Sequence, residues 1–263
     1  MTAGRTPSES PAARPAPVTA PPAAGGQPSP AERARTISTR PRAALHVLGT
    51  GTTPVSAATT TPDGRTLVVV PTSGPLVRSL ADSPVGDLPG RLTVTDRAPA
   101  GLRQPIRALV EIAGWLSPVP ADEVPDAVLA FAESCPCDAL FDVGLTATLL
   151  RLDVAEVVVH ESYAVDHVDP EEFVAAAPDP VTTAETELLA AEAATLARLR
   201  VRVQAWAGRW DDVALLGLDR FGVRFRVESP RGGYDVRVAF PEPLTTREQF
   251  APAVHGLLTC ALD

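Results

Sequence analysis

Apolar and polar residues alternate most clearly in three short runs between residues 213 and 244. In the last run Val236, Val238 and Phe240 alternate with charged or small residues, as in a strand with one buried face. Short turns that contain Asp or Gly separate the runs, and these residues suit tight chain reversals. The pattern predicts an antiparallel meander of three strands.

Short apolar runs of strand type also alternate with turn-forming residues earlier in the chain. They lie at residues 43–48, 54–61, 65–70, 91–95, 106–116, 146–152 and 155–160. We predict that the last two form a hairpin around Asp153. Short strands of this kind, with few helices between them, favour a barrel of about six or seven strands.

Capping residues and apolar positions at helical spacing predict the helices. The segments lie at about residues 30–38, 75–81, 120–133, after 169, from 182 to about 206, and after 245. The first begins at a capping box formed by Ser29 and Glu32. Thr182 and Glu185 form a second candidate capping box, which opens the longest helix. Its apolar stripe is predicted to pack on the meander.

These elements predict an α+β protein with three parts. Residues 1–28 are rich in Pro and Ala and form a disordered tail, whose removal should leave thermal stability almost unchanged. Residues 29–163 form a β-barrel domain. Residues 164–263 form a small domain of helices packed on a three-stranded antiparallel sheet.

Composition narrows the classes of function. The chain of 263 residues contains no Lys, which excludes Schiff-base chemistry and a P-loop lysine. A formal net charge of −9 argues against nucleic-acid binding. Cys135, Cys137 and Cys260 lack the spacing of a disulfide framework or a zinc site, and the first two are expected at a helix end or loop. No apolar run of membrane-spanning length and no signal peptide is present, so we expect a cytoplasmic protein without membrane contact.

Three sequence runs resemble the haem iron-utilisation family. Leu-Asp-Arg-Phe-Gly at 218–222 and Val-Arg-Val-Ala-Phe-Pro at 236–241 resemble its C-terminal domain, and Pro-Ala-Glu-Arg-Ala-Arg at 30–35 resembles the start of its barrel. The resemblance implies an FMN-binding split β-barrel similar to pyridoxamine-phosphate oxidase. It also implies a homodimer with its cofactor pocket between subunits, and haem or FMN as the cofactor. A related group binds an enzyme of tetrapyrrole synthesis, which implies a protein partner in that metabolism.

Two polar signatures of the family are replaced in this chain. Leu76 and Ser79 stand where the family has the His and Asn of a His-Thr-x-Asn element. The Asn-x-Asp-His-Ala-Asp-Ala run falls on the Ala-rich residues 190–196. Neither Leu nor Ala can ligate iron or exchange a proton. The resemblance therefore implies a binding or regulatory protein with haem, another tetrapyrrole, a flavin or no cofactor.

The alternative is an active flavin- or haem-dependent oxidoreductase, such as a haem-degrading oxygenase, with a ligand from His46 or a partner subunit. A third interpretation is a purely structural paralogue. His160, His167 and His255 complete the histidines, and no pair has the spacing of a metal site. No Ser-His-Asp set is apparent, so no catalytic residue is predicted.

The candidate binding site combines small hydroxylated residues with one arginine. Thr72 and Ser73 precede a predicted helix, and Arg78 lies one turn into it, an arrangement that suits a flavin phosphate or haem propionate. The resemblance adds Ser56 and Thr59 on the neighbouring strand. Alternatively, Thr72 and Ser73 only cap the helix, and Thr59 is ordinary β-structure.

The strand runs at 68–70 and 149–152 are candidates for the dimer contact or, equally, for the core.

Overall fold

The computed structural model describes residues 26–99, 101–162, 164–230 and 232–259. It confirms the predicted fold class: a curled antiparallel sheet forms a split β-barrel, and a separate three-stranded antiparallel sheet carries helices. The predicted tail lies outside the described residues, apart from residues 26–28. No helix in these ranges is both long and apolar enough to span a membrane.

Eight strands build the barrel sheet. They are β1 (Ala43–Val47), β2 (Gly51–Thr53), β3 (Ala57–Thr60), β4 (Thr66–Pro71), β5 (Leu88–Arg97), β6 (Ile106–Pro118), β7 (Ala147–Glu161) and β8 (Val165–Val168). Their order is β2-β1-β5-β6-β7-β4-β3, and β8 pairs with β7. Among the described residues β2 and β3 do not pair with each other, so the barrel is split rather than closed.

The hairpin predicted around Asp153 is wrong, because β7 runs unbroken through this residue. Asp153 is exposed and lies where the pairing of β6 with β7 shifts at Gly114. A Cβ atom at Gly114 would come within 2.0 Å of the Asp153 carbonyl oxygen, so the close approach requires glycine. A β-bulge therefore accommodates the polar residue without reversing the chain.

Helices pack against both sides of the barrel sheet. Helix α1 (Pro30–Ser38) begins at the predicted capping box of Ser29 and Glu32, and α2 (Pro75–Asp82) follows β4. Helix α3 (Val124–Ser134) packs Phe131 against the outer side of β4. The apolar runs at 68–70 and 149–152 are core, because these helices and strands bury their hydrophobic side chains. They are therefore not available for a subunit contact.

The second sheet has the predicted meander: β9 (Asp212–Asp219), β10 (Gly222–Ser229) and β11 (Gly232–Ala239). Its accompanying helices are α4 (Pro170–Ala175), α5 (Pro180–Thr183), α6 (Glu185–Ala191), α7 (Ala193–Trp206) and α8 (Phe250–Thr259). Two short 3-10 helices lie at Asp138–Asp142 and Arg247–Gln249. As predicted, Leu196, Leu199 and Val203 pack on the sheet.

The single helix predicted from 182 to 206 is instead three helices. The backbone leaves helical geometry at Ala184 (φ −94°, ψ 9°) and at Glu192 (φ −108°, ψ 22°). Asp179, not Thr182, caps α5 by accepting hydrogen bonds from the N–H groups of Val181 and Thr182. Glu185 is not a capping partner, because its carboxylate turns into the barrel and meets Arg107.

Candidate functional site

Four of the five predicted site residues lie around the end of β4. Thr72 and Ser73 follow the strand and are exposed, and the N–H of exposed Ser56 donates to the Val69 carbonyl in β4. The Thr72 hydroxyl lies 2.9 Å from the Thr148 hydroxyl on β7. Exposed Arg78 extends back from α2 and donates from Nη1 to the Ser73 carbonyl at 2.8 Å. We call Thr72, Ser73 and Arg78 the strand-end cluster.

The strand-end cluster does not serve to cap α2. The N-cap residue is Gly74, and no side chain provides a capping hydrogen bond there. The hydroxyls of Thr72 and Ser73 are therefore not used at the helix start. Arg78 has one hydrogen bond among the described residues, whereas a guanidinium carries five N–H donors. The cluster leaves polar donors open to a ligand.

Thr59 does not belong to this cluster. It lies three positions after Ser56, and because side chains alternate along a strand, the two project to opposite faces. Thr59 is fully buried beside the face that α3 covers, and its hydroxyl has no hydrogen-bond partner in the described structure. Its residue type suits a binding site, but its position does not.

Two exposed apolar side chains lie in the segment just before β7, whose first residue pairs with the last residue of β4. The Thr72 N–H donates to the Thr146 carbonyl, which places Leu145 beside the strand end. Leu145 is 79% exposed, and Phe141 in the preceding 3-10 helix is 80% exposed. A ligand with an anionic group and an apolar body is matched by this combination of donors and hydrophobic surface.

The two segments that were aligned with the polar signatures of the haem iron-utilisation family contain no histidine. Leu76 is fully buried in the barrel core, and residues 190–196 span the break between α6 and α7. His46 and His167 are exposed on strands, while His160 Nε2 lies 3.6 Å from Glu111 and His255 Nε2 lies 2.8 Å from Glu192. In the described ranges no three His, Cys, Asp or Glu residues form a metal-binding group.

Two cysteines stand where the sequence placed them, at the end of a helix. Cys135 is the C-cap residue of α3, and Cys137 precedes the 3-10 helix. Burial raises the pKa of the Cys135 thiol, and the neighbouring Cys137 raises it further. A protonated thiol is a poor nucleophile, which argues against Cys135 as a catalytic nucleophile. Cys260 lies outside the described residues.

A buried charge network between barrel and second sheet was missed by the sequence prediction. Arg107 on β6 donates to both carboxylate oxygens of Asp96, to both of Glu185, and to the Leu216 carbonyl. Arg40 adds ion pairs with Asp96 and Glu185 at 3.1 and 3.2 Å. Burial alone lowers the pKa of Arg107, but its bonds to Glu185 and Asp96 outweigh this and raise it. The sequence signal for this network was Arg107, a charged residue inside the apolar run at 106–116.

This network borders a cleft of about 180 Å³ between the two sheets. Asp179 lies in its wall and accepts hydrogen bonds from three backbone N–H groups, of Val181, Thr182 and Arg220. Burial raises the pKa of Asp179 in spite of these bonds. Because most of the cleft's acids and arginines are bound to one another, and Asp179 is bound by the backbone, we assign the cleft to the junction of the two sheets rather than to a ligand.

No family model and no curated protein matches the chain. Several solved structures are similar to it to different degrees. The haem-binding protein from Mycobacterium smegmatis is 23% identical, with a TM-score of 0.59 over 89% of this chain and 98% of that protein. A protein of unknown function from Agrobacterium tumefaciens is 22% identical over 91% of this chain and 99% of its own (TM-score 0.42). The FAD- and haem-binding protein from M. smegmatis is 15% identical over 57% and 78% (TM-score 0.38). The first of these likenesses establishes a shared fold.

Proposed function

We propose that the protein binds haem, another tetrapyrrole or a flavin at the split barrel, and acts as a binding or regulatory protein rather than an enzyme. The observation that carries the proposal is the strand-end cluster, where exposed Thr72, Ser73 and Arg78 lie together at the end of β4. The haem-binding protein from M. smegmatis supports it, because that protein has the same fold.

The chemistry of the cluster fits the anionic part of such a ligand. Arg78 can donate two parallel hydrogen bonds to a phosphate or propionate, and the hydroxyls of Thr72 and Ser73 can donate to the remaining oxygens. Leu145 and Phe141 then provide the apolar surface for the ring system. Ser56 lies beside β4 as a further polar contact, whereas Thr59 is excluded by its burial.

The same site does not fit a catalytic role for this chain. Buried Leu76 occupies the position of the family's histidine, so neither an iron ligand nor a proton-transferring group is supplied there. A flavin or haem bound at the cluster would bring its own electron-transfer chemistry. The residues around it only bind and orient, which favours a regulatory role with a protein partner in tetrapyrrole metabolism.

The proposal includes two domains, 29–163 and 164–263, and a homodimer. Since the strand runs at 68–70 and 149–152 are core, a subunit contact must use other surfaces. The exposed side chains of Phe141 and Leu145 are the candidates nearest the cluster. A dimer in analytical ultracentrifugation that Phe141→Ser converts to a monomer supports this contact, and a monomeric wild-type protein contradicts it.

Ligand titration tests the binding site. We expect hemin or FMN, followed by visible absorption, to bind the wild-type protein and to bind Arg78→Ala about ten- to 150-fold more weakly, the effect of losing a charged hydrogen bond. Arg198→Ala is the matched control, because Arg198 is exposed on α7, outside the strand-end cluster. Equal affinities of wild type and Arg78→Ala, or no binding of either compound, would sink the proposal.

A further inference from the structure

A second concave surface lies between the helices α6 and α7 and the strands β9 and β10. We call it the helix groove; its volume is about 300 Å³. Its apolar surface includes Leu196, Leu215 and Phe225, of which Leu196 and Phe225 are almost completely buried. Small-molecule sites in proteins span about 300–1,000 Å³ and are mostly apolar with a few placed polar groups. The groove therefore has the size and lining of a site for a small ligand.

The residues of α7 that face the groove are small. Ala193 and Ala197 stand one helical turn apart, and both are exposed. No larger side chain from the helix stands at these two positions, so the groove stays open above the half-buried side chains of Leu189 and Leu215. This open side distinguishes the groove from the well-filled core beneath it.

Arg200 is the one charged side chain that lines the groove in the described part of the chain. Its Nη1 donates to the Val213 carbonyl at 3.2 Å, and no described carboxylate pairs with it. Because a guanidinium has five N–H donors, most of its capacity is left for another acceptor. Arg200 thus differs from Arg107, whose donors are bound within the fold.

We propose that the helix groove binds a small amphipathic carboxylate. Its carboxylate pairs with Arg200, and its apolar chain or ring lies against the half-buried side chains of Leu189 and Leu215. An unpaired guanidinium next to an apolar surface is complementary to a molecule that joins an anion to a hydrocarbon body. A ligand without the anion leaves Arg200 unused, and one without the apolar body leaves the groove unfilled. This site is independent of the strand-end cluster, so either proposal can fail alone.

Titration calorimetry with decanoate and with decanol, a matched pair that differs in charge, tests the proposal. We expect decanoate to bind the wild-type protein, and Arg200→Gln to weaken it about ten-fold or more while decanol affinity stays unchanged. Arg198→Gln, a substitution two residues away on the same helix, should leave both affinities unchanged. Ala197→Phe should abolish both, because the new ring fills the groove from an exposed position that does not disturb the core.

Three results would overturn the assignment. They are the absence of decanoate binding to wild type at millimolar concentration, undiminished binding to Ala197→Phe, and equal losses in Arg198→Gln and Arg200→Gln. The unfolding transition of Ala197→Phe shows that the variant is folded, and Arg200→Gln provides a second test without added bulk. Hemin and FMN affinities of these variants separate the groove from the strand-end cluster, since neither substitution touches the latter.

Discussion

Arg107 and Arg78 represent two opposite uses of the same side chain. Arg107 lies at the junction of the two sheets with a side chain that is 4% exposed, and it binds two carboxylates and a carbonyl. Arg78 is exposed at the strand-end cluster and donates a single hydrogen bond to the Ser73 carbonyl. The sequence contains no Lys, so the side chains that carry a positive charge at neutral pH are arginines. Residue type therefore cannot distinguish structural from ligand-binding positions. Arginines with donors bound inside the fold stabilise it, whereas those with open donors can bind ligands.

Arg107→Met tests the buried side of this comparison and should have the largest effect. The substitution keeps an unbranched side chain but leaves Asp96 and Glu185 with Arg40 as their remaining ion-pair partner among the described residues. Breaking a buried ion pair in this way costs about 3–5 kcal/mol. Equilibrium unfolding in urea measures the loss.

Arg91→Met is the control for Arg107→Met, because its side chain is 56% exposed and its ion pair with Glu111 is 3.6 Å long. An exposed pair of this kind contributes at most about 1 kcal/mol. Similar losses in the two variants would show that the junction is not stabilised by its buried charges.

Shortening the N-terminus should have a smaller effect at the same junction. Pro28 is buried, and its carbonyl accepts a hydrogen bond from Arg33 Nη1 at 2.7 Å. The free energy of unfolding should therefore be about 1 kcal/mol lower for a chain that begins at Ser29 than for one that begins at Gly26. Urea unfolding of both chains is the measurement. Equal stabilities would support the sequence-based expectation that removal of residues 1–28 is neutral.

The raised pKa of Asp179 predicts how the stability of the protein depends on pH. Burial raises its pKa, so above the ordinary value of 3.8 the folded state retains a proton that the unfolded state releases. This contribution to stability is complete at low pH and decreases as the pH rises through the raised value. We expect the stability of wild type to fall relative to Asp179→Asn over this range, measured by urea unfolding at a series of pH values.

Asp169→Asn is the matched variant for Asp179→Asn. Asp169 caps α4 from an exposed position and accepts hydrogen bonds from two N–H groups, as Asp179 does for α5. Asp169→Asn therefore measures the change in stability that results from losing a capping carboxylate alone. A stability difference between wild type and Asp179→Asn that stays constant with pH would contradict the assignment.

Arg78→Ala should have the smallest effect on the fold. Exposed substitutions of this type change the free energy of unfolding by about 0.5 kcal/mol or less. The variant should therefore match wild type in urea while losing ligand affinity. A loss of stability like that of Arg107→Met would place Arg78 among the arginines that stabilise the fold.

Local sequence patterns predicted the elements that local chemistry controls. The meander of β9 to β11, the capping box at Ser29 and the start of α2 are confirmed, because turn residues, caps and alternation act within a few positions. The hairpin at Asp153 and the continuous helix after Thr182 are wrong. In both, a partner distant in sequence decides the geometry: Gly114 faces Asp153, and Arg107 binds Glu185.

The sequence by itself determined the fold class and the order of most elements, since these follow from residue type and spacing. The tertiary structure alone decided which polar side chains are accessible. Thr59 on β3 and Thr72 directly after the neighbouring strand β4 are the same residue type, yet the first is fully buried and the second is exposed. It also decided that Arg107 is bound within the fold while Arg78 and Arg200 retain open donors. Burial and pairing depend on segments brought together from far apart in the chain, and no local pattern contains that information.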